Sequence, residues 1–229
     1  MVSSNGRTAR GVITDCISTG DALQETSGAA AFWALGAGNL TRFVGCLARG
    51  SARGGFASTY DTSDIVFEGC TSENNTERGF LLDGTRPTAI SCMARGNAYA
   101  GFYIDSTAAG AYLSGCIAHS CASGADDIQF HIYGDDTLLT NCVSDAGTTT
   151  PNYAFAVRTG ATGAKLLGCS ARGSFGSGAW LDQVGDAKCF PIPGVTLKPT
   201  VSGSRGGNAA LASALTALAN LGLIVNSTS

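Results

Sequence analysis

The sequence predicts an all-β chain folded as a parallel β-helix of about seven coils, followed by a short helical or irregular C-terminal segment. Three observations carry this reading. Seven short apolar segments end alike, at Cys16, Cys46, Cys70, Cys92, Cys116, Cys142 and Cys169. The gaps between these cysteines are 30, 24, 22, 24, 26 and 27 residues, the period of a solenoid in which each repeat is one coil. Charged residues are only 14% of the chain and glycines number 32 of 229, against about 25% and about 7% in ordinary soluble domains. Low charge and frequent glycine fit stacked strands joined by tight corners.

The elements follow in order along each repeat. The cysteine strand comes first, and a small residue stands two places after each cysteine, from Ser18 and Ala48 to Ala171. Cysteines at matching places stack as an inward ladder of reduced thiols, since a free cysteine packs as a small hydrophobe. Cys121 and Cys189 lie off this ladder, and Cys121 with the nearby His119 reads as a turn. A second strand follows, clearest at Gly79–Asp83 and Gly101–Asp105. Its alternation puts Phe80 and Leu82, Phe102 and Ile104, Phe130 and Ile132, and Phe155 and Val157 in the core. Between strands, the recurring Ala48-Arg49-Gly50, Ala94-Arg95-Gly96 and Ala171-Arg172-Gly173 predict a fixed corner with glycine at positive φ and a solvated arginine. Asp126-Asp127 and Asp135-Asp136 read as turn formers, and no metal or cofactor site is called.

The two ends differ. Arg10-Gly11-Val12-Ile13 already has the repeat pattern, so further coils or a head domain are expected to precede it. The helix is read over residues 1–190, and residues 191–229 form a separate capping or oligomerisation segment opened by Pro191, Pro193 and Pro199. Within it, Asn208 to Leu221 predicts a helix, capped by Asn208, ended by Gly222 and striped by Leu211, Leu215 and Leu218. No charge occurs from Gly206 onward, so this helix must pack on the last coil or on copies of itself. Its length and polar residues disfavour membrane insertion. The net charge of -3, with no cluster of basic residues, excludes a nucleic-acid partner and favours a neutral or weakly charged one.

The repeat, together with Lys198 to Ser213 and Leu215 to Ile224, resembles the right-handed, single-stranded parallel β-helix proteins of bacteriophage tailspikes and tail fibres, related in fold to pectate lyases. The resemblance implies an extracellular virion tail component, usually a homotrimer, that binds and often cleaves a bacterial surface polysaccharide. The paired aspartates and the Arg-Lys signature of polygalacturonase-like enzymes do not appear, and neither does a lyase calcium pattern.

Candidate chemistry falls on the outward positions of the second strand. With the phenylalanines in register, one outward column holds Leu81, Tyr103, His131, Ala156 and Trp180, and its neighbour holds Asp83, Asp105, Tyr133, Arg158 and Asp182. Aromatic rings beside carboxylates and an arginine suit a sugar, so Tyr103, His131, Tyr133, Arg158, Trp180 and Asp182 are the binding candidates. The alternative is a solvated face of mixed residues. Asp83 and Asp105 fall one rung apart, about 4.8 Å, close to the spacing of a retaining glycosidase pair, and are the catalytic candidates. Three functions therefore stand open: a polysaccharide-binding tailspike segment, a secreted or virion-borne glycoside hydrolase or polysaccharide lyase, and a purely structural trimeric spacer.

Overall fold

The computed structural model describes residues 2–3, 11–19, 30–34, 40–123, 127–185, 187–189, 200–203, 213–215 and 225–228. The chain divides into two compact units, Met1–Val195 and Thr196–Ser229.

Among the described residues, the larger unit is a parallel β-helix built from three sheets of eight, eight and seven strands. One sheet carries the phenylalanines and includes Phe56–Ala57, Arg78–Leu82, Ala100–Ile104, Ile128–Ile132, Tyr153–Val157 and Gly178–Asp182. A second contains the segments just before the cysteines, and the third those just after them, from Ile17–Thr19 to Ser170–Arg172. Each strand pairs in parallel with its counterpart one coil away.

The cysteine segment is therefore two strands and not one. The residue before each ladder cysteine (Asp15, Gly45, Gly69, Ser91, Gly115, Asn141, Gly168) has φ between +51° and +63°, and the chain turns a corner there. Glycine, Asn and Asp tolerate that left-handed conformation best, which explains most of the choices. The expected Ala-Arg-Gly corner is present too, with Gly50, Gly96 and Gly173 at positive φ. Its arginines are more than solvated charges. Arg49 and Arg95, from the coils on either side, both bond the Glu73 carboxylate, at 2.7 and 2.5 Å. Burial pushes the Glu73 carboxyl up, and the two guanidiniums outweigh it and hold it below its ordinary value.

Two inward ladders match the sequence expectation. Phe32, Phe56, Phe80, Phe102, Phe130 and Phe155 stack with ring centroids 4.8–4.9 Å apart. Cys46, Cys70, Cys92, Cys116, Cys142 and Cys169 are buried free thiols. They donate to carbonyls of the preceding coil, as Cys70 does to Phe43 O at 3.3 Å and Cys116 to Ala89 O at 3.3 Å. Burial holds the Cys92 thiol well above its ordinary value, so it stays protonated.

A third, polar ladder escaped the sequence reading. Asn75 and Asn97 lie 1% exposed at the corner after the post-cysteine strand. Asn97 Oδ1 accepts from Asn75 N at 3.1 Å and from Asn75 Nδ2 at 2.8 Å, while Asn75 Oδ1 accepts from Ser51 N at 2.8 Å. Asn97 Nδ2 donates to Ser72 O at 3.0 Å and reaches Cys121 Sγ at 3.7 Å. Cys121 thus occupies the next rung of this ladder, which explains why it stands outside the cysteine column. Burial raises its thiol to about 11.

In the smaller unit, Thr200–Gly203 pairs in parallel with Val225–Thr228. Residues 213–215 are helical, and the rest of the helix expected over Asn208–Leu221 lies outside the described residues. Among the described residues no helix is long and apolar enough to cross a membrane.

Candidate functional site

Each strand of the phenylalanine sheet buries its aromatic anchor and turns the next residue outward. The register aligns Trp33, Ala57, Leu81, Tyr103, His131, Ala156 and Leu181 in one outward column. Just past the strands, backbone bonds from Asp105 N, Tyr133 N, Arg158 N and Gln183 N to the preceding coil define the neighbouring column. Tyr103, His131, Tyr133 and Arg158 therefore share one face, as the alternation predicts, with Asp83 and Asp105 at its edge.

Two candidates belong elsewhere. Trp180 pairs with Phe155 and packs against the core, and Asp182 pairs with Val157. The last strand is displaced by one residue from the expected register, which reverses the face of every side chain. Leu181 and Gln183 take the outward places. Asp182 instead closes the turn behind it, accepting from Val184 N at 3.0 Å and Gly185 N at 2.8 Å.

The centre of the face is a cluster of rings. Tyr103 lies 5.1 Å from His131 and 5.5 Å from Tyr133, His131 lies 4.7 Å from Tyr133, and Tyr99 lies 6.2 Å from Tyr103. The Arg78 guanidinium carbon sits 4.3 Å from the Tyr103 ring centre and 5.2 Å from that of Tyr99. On the far side, the Arg158 guanidinium carbon is 5.9 Å from the Tyr133 ring centre. Such contacts hold the cations over ring faces without neutralising them. Arg78 and Tyr99 were missed because they precede the Gly-Phe strand signal, at Arg78-Gly79-Phe80 and Tyr99-Ala100-Gly101-Phe102. A cleft of about 430 Å³ adjoins the rings, lined by Arg53, Thr76, Glu77, Arg78 and Tyr99.

His131 lies beneath this platform and not on it. It is 2% exposed, and neither ring nitrogen has a hydrogen-bond partner. Burial, helped by Arg158 and Arg78, lowers its pKa to about 4, so the ring is neutral at physiological pH. Burial also raises the Tyr103 hydroxyl to about 12, with Tyr133 and Asp105 adding to the effect.

At the edge, Asp83 Oδ1 accepts from Gly84 N at 2.6 Å and from the Thr107 hydroxyl. Asp105 Oδ1 accepts from Ser106 Oγ at 3.0 Å. Burial raises the Asp83 pKa from its ordinary value, against the bonds from Thr107 and Gly84, and the charges of Asp105 and Asp61 push the same way. The two carboxyl groups stand on adjacent rungs, each bonded within its own turn. Of the turn aspartates, Asp135 Oδ1 accepts from Thr162 N at 2.7 Å and from its hydroxyl at 2.9 Å, a turn-forming contact. Asp126 lies outside the described residues.

A stacked coil with ladders of Phe, Cys and Asn inside and one aromatic face outside defines the class: a parallel β-helix with a rigid, ring-lined surface. A family model, the right-handed β-helix region, matches residues 2–141, and the chain belongs to that family. No curated protein and no solved structure matches the chain.

Proposed function

We propose that the chain is the polysaccharide-binding segment of a phage tailspike or tail fibre, acting outside the cell on a bacterial surface glycan. The observation that carries this reading is the Tyr99, Tyr103 and Tyr133 platform with Arg78 and Arg158 at its flanks. Tyrosine rings stack on the apolar face of a pyranose, and guanidiniums and carboxylates bond its hydroxyl groups. Strands fix these side chains along one direction, so a linear polymer meets a preformed track with little ordering cost. The right-handed β-helix fold is compatible with such binding.

Assembly as a homotrimer belongs to the same reading. One outward column beside the cysteine corner runs Ile17, Leu47, Thr71, Met93, Ile117, Val143 and Ser170 in register from coil to coil, five of the seven apolar. Ile17 is 70% exposed and nearby Val12 66%.

The test is a panel of bacterial capsular and O-antigen polysaccharides, read for both binding and released sugar ends. At least one polymer is expected to bind. Tyr103→Ala is expected to weaken it about tenfold or more, equivalent to about 1.4 kcal/mol, while leaving the melting temperature near that of the parent. Retention of full affinity by the Tyr103→Ala protein would move the site off this face.

A second reading, glycoside hydrolysis, is favoured by the raised Asp83 carboxyl one rung from Asp105. Asp83 would protonate the leaving oxygen and Asp105 would attack the sugar. If the panel releases sugar ends, Asp83→Asn and Asp105→Asn are each expected to slow release by about 10²-fold or more; unchanged release would remove both from the mechanism. Stability gives an independent check on Asp83. Its folded pKa is raised, so the folded form holds the proton more tightly and the chain loses stability as pH climbs from about 3.9, the unfolded value, through the folded one. Asparagine keeps the Oδ1 acceptor and avoids that loss, so at neutral pH the Asp83→Asn protein is expected to melt no lower than the parent.

A further inference from the structure

We infer that the tyrosine platform recognises an anionic sugar residue, one carrying a carboxylate, with Arg78 and Arg158 as its two cationic contacts. The inference rests on the binding reading above and names the substrate class for the same face. Five of the described arginines pair closely with carboxylates. Arg86 bonds Asp64 at 2.7 and 2.8 Å, Arg53 bonds Glu77 at 2.8 Å, and Arg49 and Arg95 share Glu73. Arg42 pairs with Glu68. These cations are matched by carboxylates on neighbouring coils.

The two platform arginines are different. Arg78 Nη1 is 3.8 Å from Glu77 Oε2, beyond hydrogen-bond distance, and the other Glu77 oxygen already serves Arg53. Arg78 Nε is buried with no hydrogen-bond partner at all. Arg158 forms no ion pair among the described residues and makes only a long contact, 3.5 Å, from Nε to the Tyr133 hydroxyl. Both guanidiniums thus rest on tyrosine faces with donors unused, on opposite sides of the same ring cluster.

A buried polar atom without a partner costs about 1–3 kcal/mol, and three lie beside or beneath the rings: Arg78 Nε and both nitrogens of His131. His131 is neutral there, so the positive charge of the face belongs to the two arginines. A guanidinium presents a planar fork that fits a carboxylate, and such charge-assisted bonds are stronger than bonds to a hydroxyl. Asp83 and Asp105 stand at one edge of the face, so the sugar's carboxylate belongs at the arginines and its hydroxyls at the aspartates. The overall charge of -3 pointed to a neutral partner, but a ligand meets the local field and not the sum.

The experiment measures binding of the full chain to hyaluronan, alginate and polysialic acid, each beside its carboxyl-reduced form, with dextran and galactomannan as neutral polymers. At least one acidic polymer is expected to bind, about tenfold or more tighter than its reduced form, with affinity falling as salt rises. Arg158→Gln and Arg78→Gln are each expected to weaken that binding by about tenfold. Arg158 lies at the end of its strand, so its variant reports on binding even if Arg78→Gln lowers the melting temperature. Equal binding of acidic and reduced forms, or binding of neutral polymers alone, overturns the anionic preference and leaves polysaccharide binding standing. Binding to none of these polymers, acidic or neutral, overturns the anionic preference; if the capsular and O-antigen panel is also silent, the binding reading falls with it.

Discussion

Phe102→Ala is expected to destabilise the β-helix by about 3–5 kcal/mol. Phe102 is fully buried, with Phe80 and Phe130 stacked 4.8 and 4.9 Å away on either side. Alanine removes the apolar transfer energy, opens a cavity and breaks two ring contacts worth about 0.5–1.5 kcal/mol each. The rungs of the neighbouring coils are fixed by parallel pairing at Phe80, Phe102 and Phe130, so the backbone has little freedom to close the gap. Each coil is stabilised by its neighbours, and a fault in the middle weakens coupling in both directions. Denaturant unfolding at equilibrium reads the loss directly. A change below about 1 kcal/mol would mean that the coil collapses around the missing ring.

Asn97→Ala is expected to cost about 2–4 kcal/mol, although the residue is small and polar. Its Oδ1 serves both the backbone and the side chain of Asn75, and its Nδ2 serves Ser72 O. Alanine leaves these buried groups without their protein partners. Amide hydrogen exchange gives a second measurement: Asn75 N–H is expected to exchange faster in the variant, while Phe102 N–H, held in the adjacent sheet, changes less. Equal stability of variant and parent would show that the ladder fills space and carries no hydrogen-bond energy.

The platform was partly legible. Tyr103, Tyr133 and Arg158 emerged on one face because strand alternation has a period of two, and that period is visible in a single chain. Arg78 and Tyr99 were not: Arg78 opens its strand at the same parity as the inward Phe80 and Leu82, and Tyr99 stands just before its own strand, so alternation assigns neither to this face. Trp180 and Asp182 were misplaced for a different reason. The last repeat lacks a phenylalanine, so Trp180 fills the inward aromatic place, and one residue of register reverses the face. His131 occupied the expected column, yet the rings of Tyr99, Tyr103 and Tyr133 cover it. No sequence pattern reports which outward residue is covered by its neighbours.

The sequence by itself determined the period, the ladders of Phe and Cys, and the glycine corners, because each repeats one local rule in every coil. The tertiary structure alone decided three further matters. It split the cysteine segment at a left-handed residue, a choice that Ser91 and Asn141 make without glycine. It joined Ser51, Asn75, Asn97 and Cys121 into one polar ladder through contacts 22–24 residues apart in the chain. And it left Arg158 with no ion pair among the described residues and Arg78 with only a 3.8 Å approach to Glu77, while pairing Arg49, Arg53, Arg86 and Arg95 closely. Partners of that kind lie one coil away, so their identity depends on register between coils, and register is fixed only when the rungs stack.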